Sequence, residues 1–196
     1  MFGAPNRITA TTAYGDGEVI DIERNVDLGG SIHSKGVMIL SAYLSSVFGK
    51  TAKVPLTTNI TFEQSYGGVD GDSASMAEFC AVVSAFSKQP NRQDIAITGS
   101  MNQFGESQPI GGVNEKIEGF FDVCEIKGRS NEQGVIIPRS NVHNLMLRSD
   151  IVKAVEKGEF NIWAIDHVTE AIELFTGKPA GEASDEGSYP IDTIFG

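Results

Sequence analysis

The spacing of apolar residues switches several times between a helical and a strand repeat along this 196-residue chain, and that switching limits its fold more than any other feature. In 34–48 the apolar stripe is Val37, Leu40, Tyr43 (or Leu44) and Val47. In 74–87 it is Met76, Phe79, Cys80, Val83 and Phe86, and in 113–126 it is Val113, Ile117, Phe120, Phe121 and Cys124. Recurrence every three or four positions predicts helices with one buried face. Segments 150–157 and 167–176 read as two shorter helices. Segments 7–13, 18–24, 57–63, 94–99, 134–138 and 160–165 read as strands, with Gly15 and Gly17 suggesting a hairpin between the first two. Strands and helices are interspersed without a strict strand–helix–strand rhythm. The expectation is therefore α+β, mixed sheets with packed helices, rather than a doubly wound parallel sheet.

A chain of this length folds as one domain or two small ones and buries roughly 70% of its extended surface. No internal repeat or Ser/Gly linker divides it, so residues 1–178 read as one domain. Residues 179–196 differ: they hold Glu182, Asp185, Glu186 and Asp192, no basic residue and little periodicity. They read as a flexible acidic tail in which Ile191, Ile194 and Phe195 are the residues able to dock.

Charge and composition remove whole classes of function. Fifteen Lys and Arg against 26 Asp and Glu give a net charge of −11, with no electrostatic footprint for nucleic acid or anionic lipid. No apolar run approaches the ~20 residues of a membrane span. The first residues lack the basic and apolar regions of a signal peptide, so a cytoplasmic location is expected. Cys80 and Cys124 form no CxxC pair and lie on helical stripes, where they read as reduced, buried thiols.

Two stretches can carry chemistry. Gly67–Ser75, GGVDGDSAS, is a glycine-rich acidic turn leading into an apolar helix. Ser73 or Ser75 fits a helix cap there. A serine at that place also fits a nucleophile, because free N–H groups at a helix start stabilise an oxyanion. GDSAS departs from the GxSxG nucleophile elbow in Ser75, and the strand that should precede an elbow is ill-defined here. The second stretch is Gln108–Phe121, QPIGGVNEKIEGFF, where a tight turn precedes a helix that Asn114 helps start. Lys116 stands at the shoulder of its apolar face. One reading is a snorkelling side chain; the other is a desolvated amine near a positive helix end, with the lowered pKa of a general base. Phe48-Gly49-Lys50-Thr51 ends like a phosphate-binding loop, but Leu44 occupies the place of its first glycine. His33, His143 and His167 are dispersed, build no zinc site, and leave a Ser–His–Asp arrangement open.

Together these stretches resemble the proteolytic domain of Lon proteases. VDGDSAS is similar to the family's catalytic-serine segment in its archaeal-type B branch and bacterial relatives, and PIGGVNEK is similar to its PIGG-x-x-EK lysine segment. ITGSMNQFGESQPIGG between them resembles the strand and hairpin that lead to the lysine. LGGSIHSKGVMILSAYL, FEQSYGG, GFFDVC, GVIIPRSNV and EAIELFTG extend the likeness over most of 15–178.

The resemblance implies the Lon proteolytic fold, of the ribosomal protein S5 domain 2-like kind. It also implies a Ser–Lys dyad of Ser73 as nucleophile and Lys116 as base. Thr98 matches a threonine that bonds the lysine. Asp70 matches an acid three before the serine, and Glu23 an acid on an early strand. Asp72 and Ser75 stand where many Lon enzymes have Pro and Gly; an acid beside the nucleophile can pair with Lys116 and make a latent dyad. The implied substrates are unfolded polypeptides, and the implied assembly is a homo-oligomeric, six-membered ring. No metal or organic cofactor is implied in this domain, since ATP and Mg act through an AAA+ module whose Walker motifs this chain lacks. A non-catalytic assembly module of the same fold and a Ser–His–Asp hydrolase are the alternatives.

Overall fold

The computed structural model describes residues 3–49 and 55–196, so Lys50 and Thr51 of the rejected phosphate-loop match lie outside the described residues. The elements in order are β1 Ile8–Tyr14, β2 Val19–Asp21, α1 Ile22–Asn25, α2 Ser31–Phe48, β3 Leu56–Phe62 and α3 Ser75–Ser87. There follow β4 Ile95–Ile97, β5 Ser100–Met101, β6 Ser107–Gln108, α4 Val113–Lys127 and β7 Gly134–Pro138. A 3₁₀ turn Arg139–Asn144, α5 Ser149–Glu156, β8 Asn161–Ile165 and α6 Val168–Thr176 complete the chain. The fold is mixed, with helices packed on several small sheets.

The first sheet corrects the expected hairpin. Its order is β1-β3-β2, with β1 antiparallel and β2 parallel to β3. The glycines between β1 and β2 turn the chain back but carry it across the end of β3, so β2 pairs with the far edge of β3 and not with β1. Gly15 N–H donates to Pro55 O at 3.0 Å, and a Cβ at Gly15 would overlap Thr57 Oγ1. Thr58 N–H then donates to Glu18 O at 2.8 Å, which docks the chain on the opposite edge of β3. The strand expected over 18–24 stops at Asp21, whose carboxylate caps α1 by accepting from Arg24 N–H. Short acceptor side chains at a helix start compete well with a strand ladder.

The second sheet, β4-β7-β8, is parallel throughout. Every residue of β7 is buried, as expected of a strand covered on both faces. Ile136 enters the core formed by α2, α3 and α6, with Leu40, Phe79 and Ile172. Val135 and Ile137 face the other core, with Ile117, Phe121 and Ile151 from α4 and α5. Cys80 and Cys124 are free and buried, one in each. Residues 179–196 return to the protein. Ile194 N–H donates to Pro179 O and Phe195 N–H to Ala180 O, and the Phe195 ring packs edge-on against Phe48. Ile191 stays exposed.

One polar cluster is fully buried beneath α2 and α3. His33 Nε2 lies 3.1 Å from Asp21 Oδ2 and 3.6 Å from Glu78 Oε1. Glu23 Oε1 accepts from Thr61 Oγ1 and Phe62 N–H, which ties α1 to β3. The hydrogen bond to Asp21 raises the His33 pKa, whereas burial pushes Glu78 up to about 7. The unfolded Glu78 carboxyl ionises near its ordinary 4.5, so between there and about 7 the folded state holds the extra proton. Folding stability must then fall as pH rises through that window, and the raised His33 continues the decline above its unfolded value. Stability measured in urea is expected to drop by on the order of 1–3 kcal/mol between pH 4.5 and pH 8. Glu78→Gln should flatten the lower part of that decline. An unchanged slope in the variant would contradict this assignment.

Candidate active site

The serine loop is built between two fixed ends. On one side Val69 bridges to the start of α2: its N–H donates to Leu28 O, and Gly30 N–H donates to Val69 O, both at 2.8 Å. Gly71 then takes φ +92°, a left-handed turn that favours glycine. Its N–H donates to Asp70 Oδ1 at 2.9 Å, so Asp70 holds the turn from its exposed position. On the other side the chain is clasped to the end of β4. Gly99 N–H donates to Ser73 O at 2.9 Å and Met76 N–H donates to Gly99 O at 3.3 Å. Neither serine caps α3, contrary to the simpler sequence reading. The cap position is Ala74, without a side-chain bond, and Ser75 Oγ accepts from Met101 N–H at 3.2 Å. The amides of Ser73 and Ala74 donate to no acceptor among the described residues.

The lysine segment is pinned as firmly. Gly112 begins α4 in the left-handed region at φ +69°. The buried amide of Asn141 accepts from Ile110 N–H and donates to Ile110 O, each at 3.0 Å, and so fixes the Pro109–Gly112 turn. Asn114 does not cap α4: it donates to Asn144 O and accepts from Met146 N–H, fastening the helix start to the loop that follows the 3₁₀ turn. Asn141 was not singled out by sequence, because an isolated Asn shows no signal until its partner is known.

These supports bring four of the six expected residues together. Lys116 Nζ stands 3.0 Å from Ser73 Oγ and 3.2 Å from Thr98 Oγ1. Asp72 lies beside them, but its carboxylate is turned to Ser100, whose hydroxyl donates to Oδ2 at 2.9 Å. The ion pair with Lys116 that the sequence allowed is not present among the described residues. Asp70 stays on the loop. Glu23 is not brought to the group; it lies on α1 rather than on a strand and serves β3.

A cavity of about 610 Å³ opens onto Ser73, Thr98 and Lys116. Residues 4–8 form part of its wall, and Arg7, Asp70, Arg92 and Lys127 are the other residues of charged type that line it. None of the three histidines lines it. Burial lowers the Lys116 pKa and the Asp72 charge opposes that effect. Lys116 is also the fourth residue of α4, near the positive end of the helix dipole, which further disfavours the ammonium. A partly desolvated amine beside a serine hydroxyl can take its proton, and the two free amides belong to the residues just before α3. Among the described residues no group of His, Cys, Asp or Glu is placed to hold a metal, and no helix is long and apolar enough to cross a membrane.

Comparison with known proteins gives this arrangement a family. Residues 64–176, which include Ser73, Thr98 and Lys116, match the profile of the Lon protease (S16) C-terminal proteolytic domain. A Lon protease homolog of Escherichia coli (strain K12) is 56% identical over 173 residues, covering 88% of this chain and 30% of that protein. One of Haemophilus influenzae is 49% identical over 177 residues, 90% of this chain and 30% of that protein. An archaeal Lon protease of Pyrococcus abyssi is 34% identical over 145 residues, 74% of this chain and 13% of that protein. The chain belongs to the Lon protease family and corresponds to its proteolytic domain. It spans 30% of the length of each of these two bacterial proteins.

The clasp at Gly99 leaves no room for a side chain. A Cβ there would overlap Met76 Cε and stand 3.0 Å from Pro138 Cγ, so the Met76 thioether, which is fully buried, would have to shift within a packed core. Gly99→Ala is expected to cost about 1–3 kcal/mol, the usual range for overpacking. The urea midpoint would measure it. A wild-type midpoint would show that the clasp is looser than its geometry.

Proposed function

We propose that this chain is the serine endopeptidase domain of an ATP-dependent Lon-type protease, with Ser73 and Lys116 as a Ser–Lys dyad. The observation that carries the proposal is the 3.0 Å approach of Lys116 Nζ to Ser73 Oγ in a cavity that lowers the amine's pKa. Neutral Nζ takes the Ser73 proton as Oγ bonds to the scissile carbonyl carbon. The oxygen gains negative charge and is held by the Ser73 and Ala74 amides. Collapse breaks the C–N bond, and the Lys116 ammonium gives its proton to the leaving amine. Water then hydrolyses the acyl-serine with Lys116 again as base. Thr98 Oγ1 holds Nζ in line, and Asp70 keeps the loop in its turn. Peptide hydrolysis on this path uses no metal or organic cofactor.

The remaining parts of the reading rest on family membership. The fold is the ribosomal protein S5 domain 2-like fold of Lon proteolytic domains. Substrates are unfolded or damaged polypeptides in the cytoplasm. ATP and Mg act through an AAA+ module on the full-length protein, and six copies form a ring. Asp72 turned to Ser100 argues against a permanently latched module, and a cavity without histidine argues against a Ser–His–Asp hydrolase.

Ser73→Ala, Lys116→Ala and Lys116→Arg should each lower hydrolysis of a flexible fluorogenic peptide by about 10³-fold or more, at equal folded fraction. Arginine fares no better than alanine because guanidinium stays protonated. Near-wild-type activity in any of the three would remove the dyad.

The pH–rate profile supplies a separate check. Activity should climb with pH as Lys116 loses its proton, with a midpoint below the ~10.4 of an ordinary lysine. Asp72→Asn removes a charge that stabilises the ammonium, so the ascending limb should move to lower pH. A limb that stays in place would mean that Asp72 does not couple to the base.

A further inference from the structure

The Lys116 amine lies near a carboxylate that would hold it as an ammonium. Asp72 is the residue before the nucleophile, and among the ionisable groups around Lys116 it is the one whose charge acts on the amine. A partly buried carboxylate and ammonium with no competing partner attract strongly. In this structure something draws Asp72 the other way. Its Oδ2 accepts from Ser100 Oγ at 2.9 Å, and Ser100 is only 3% exposed. Ser100 cannot follow a moving carboxylate, because β5 is paired to β6 at Ser100–Gln108 and Met101 N–H is bonded to Ser75 Oγ. The Asp72 backbone is held as well: a Cβ on Gly36 of α2 would stand 3.1 Å from Asp72 Cβ.

Ser100 has one hydroxyl proton and two acceptors within reach, Asp72 Oδ2 at 2.9 Å and Gln108 Oε1 at 3.3 Å. The charged and nearer oxygen takes it. Two positions earlier, Thr98 presents its own hydroxyl to Lys116. The segment Thr98-Gly99-Ser100 thus hands one hydroxyl to the base and the other to the acid beside the nucleophile.

We propose that Ser100 is a positioning residue that holds the Asp72 carboxylate away from Lys116 and so keeps the amine available to Ser73. This rests on the dyad reading above and names a residue that the dyad needs without its touching substrate. The charged groups around the pair are few. Lys116 comes from α4, with Glu115 beside it on the same helix, and Asp70 and Asp72 come from the serine loop. Arg7 reaches the cavity from the amino-terminal segment, Arg92 is paired with Asp94, and Lys127 lies about three turns along α4. Gly36 of α2 packs close to Asp72, Ser100 of β5 donates to it, and Gln108 of β6 lies within reach of the same Ser100 hydroxyl; all three are uncharged.

The test is the pH dependence of Ser73 phosphonylation by a fluorophosphonate probe, in which Oγ displaces fluoride from phosphorus, measured on the 196-residue chain and its variants. Ser100→Ala releases Asp72 toward Lys116 and should move the ascending limb to higher pH, with about tenfold slower labelling at pH 7.5, the equivalent of one pKa unit. The rates should converge with wild type at the alkaline plateau. In the Ser100→Ala/Asp72→Asn double variant the limb should return to the position of Asp72→Asn alone. Ser100→Cys, whose thiol is a weaker donor, should shift the limb the same way by less, and it stands in if the alanine variant does not fold. A uniform loss at every pH with an unmoved limb, or a shift that persists without the Asp72 charge, would overturn the positioning role. If Lys116→Ala labels with wild-type rate and pH dependence, the dyad reading itself fails, and this proposal with it.

Discussion

Two backbone hydrogen bonds, Gly99 N–H to Ser73 O and Met76 N–H to Gly99 O, hold the Ser73 segment against the end of β4, and the rest of the site is arranged around them. Backbone bonds of this kind are insensitive to side-chain rotamers, so they fix where Ser73 stands before any catalytic contact forms. The parallel sheet sets where β4 ends, because β7 passes beside it with every residue buried. α4 packs against that same strand through Val113, Ile117 and Phe121 and presents Lys116 on its first turn. The 3.0 Å gap between Ser73 Oγ and Lys116 Nζ is therefore the outcome of two cores meeting at one strand.

Electrostatics then decides what the amine does. Burial and the helix start both act against its charge, and Asp72 acts for it. Thr98 accepts from the amine and Ser100 donates to the Asp72 carboxylate, each through one hydroxyl. A second group of ionisable residues, Asp21, His33 and Glu78, is sealed away under α2 and α3 and lines no part of the cavity. It includes a His–Asp pair, and among the described residues no hydrogen bond joins that pair to a serine. Its titration bears on the pH dependence of folding.

Much of this was legible before the structure. The helices were plain because apolar stripes such as Met76, Phe79 and Val83 report a buried face directly. Ser73 and Lys116 were legible as a pair, since two motifs in the right order carry more than either one. The hairpin over Gly15 and Gly17 was misread because glycines mark a change of direction without saying which one. The alternation of 18–24 hid Asp21 as a cap, since its partner Arg24 N–H exists only once α1 forms. Ser100 and Asn141 could not be singled out at all: their partners, Asp72 and Ile110, are 28 and 31 positions away. Short polar residues become informative when the fold supplies the other half of the bond.

The central claim is that Lys116 is held as a free amine beside Ser73, and the protonation of that one nitrogen tests it most directly. Selective ¹³C labelling of lysine, with the Lys116 signal assigned by its loss in Lys116→Arg, allows its Cε resonance to be titrated. Lys116 should lose its proton below the ~10.4 of an ordinary lysine, and at the same pH at which Ser73 becomes reactive to an acylating probe. A Lys116 signal that titrates together with the other lysines, or above them, while Ser73 reacts at lower pH, would contradict the Ser–Lys pairing.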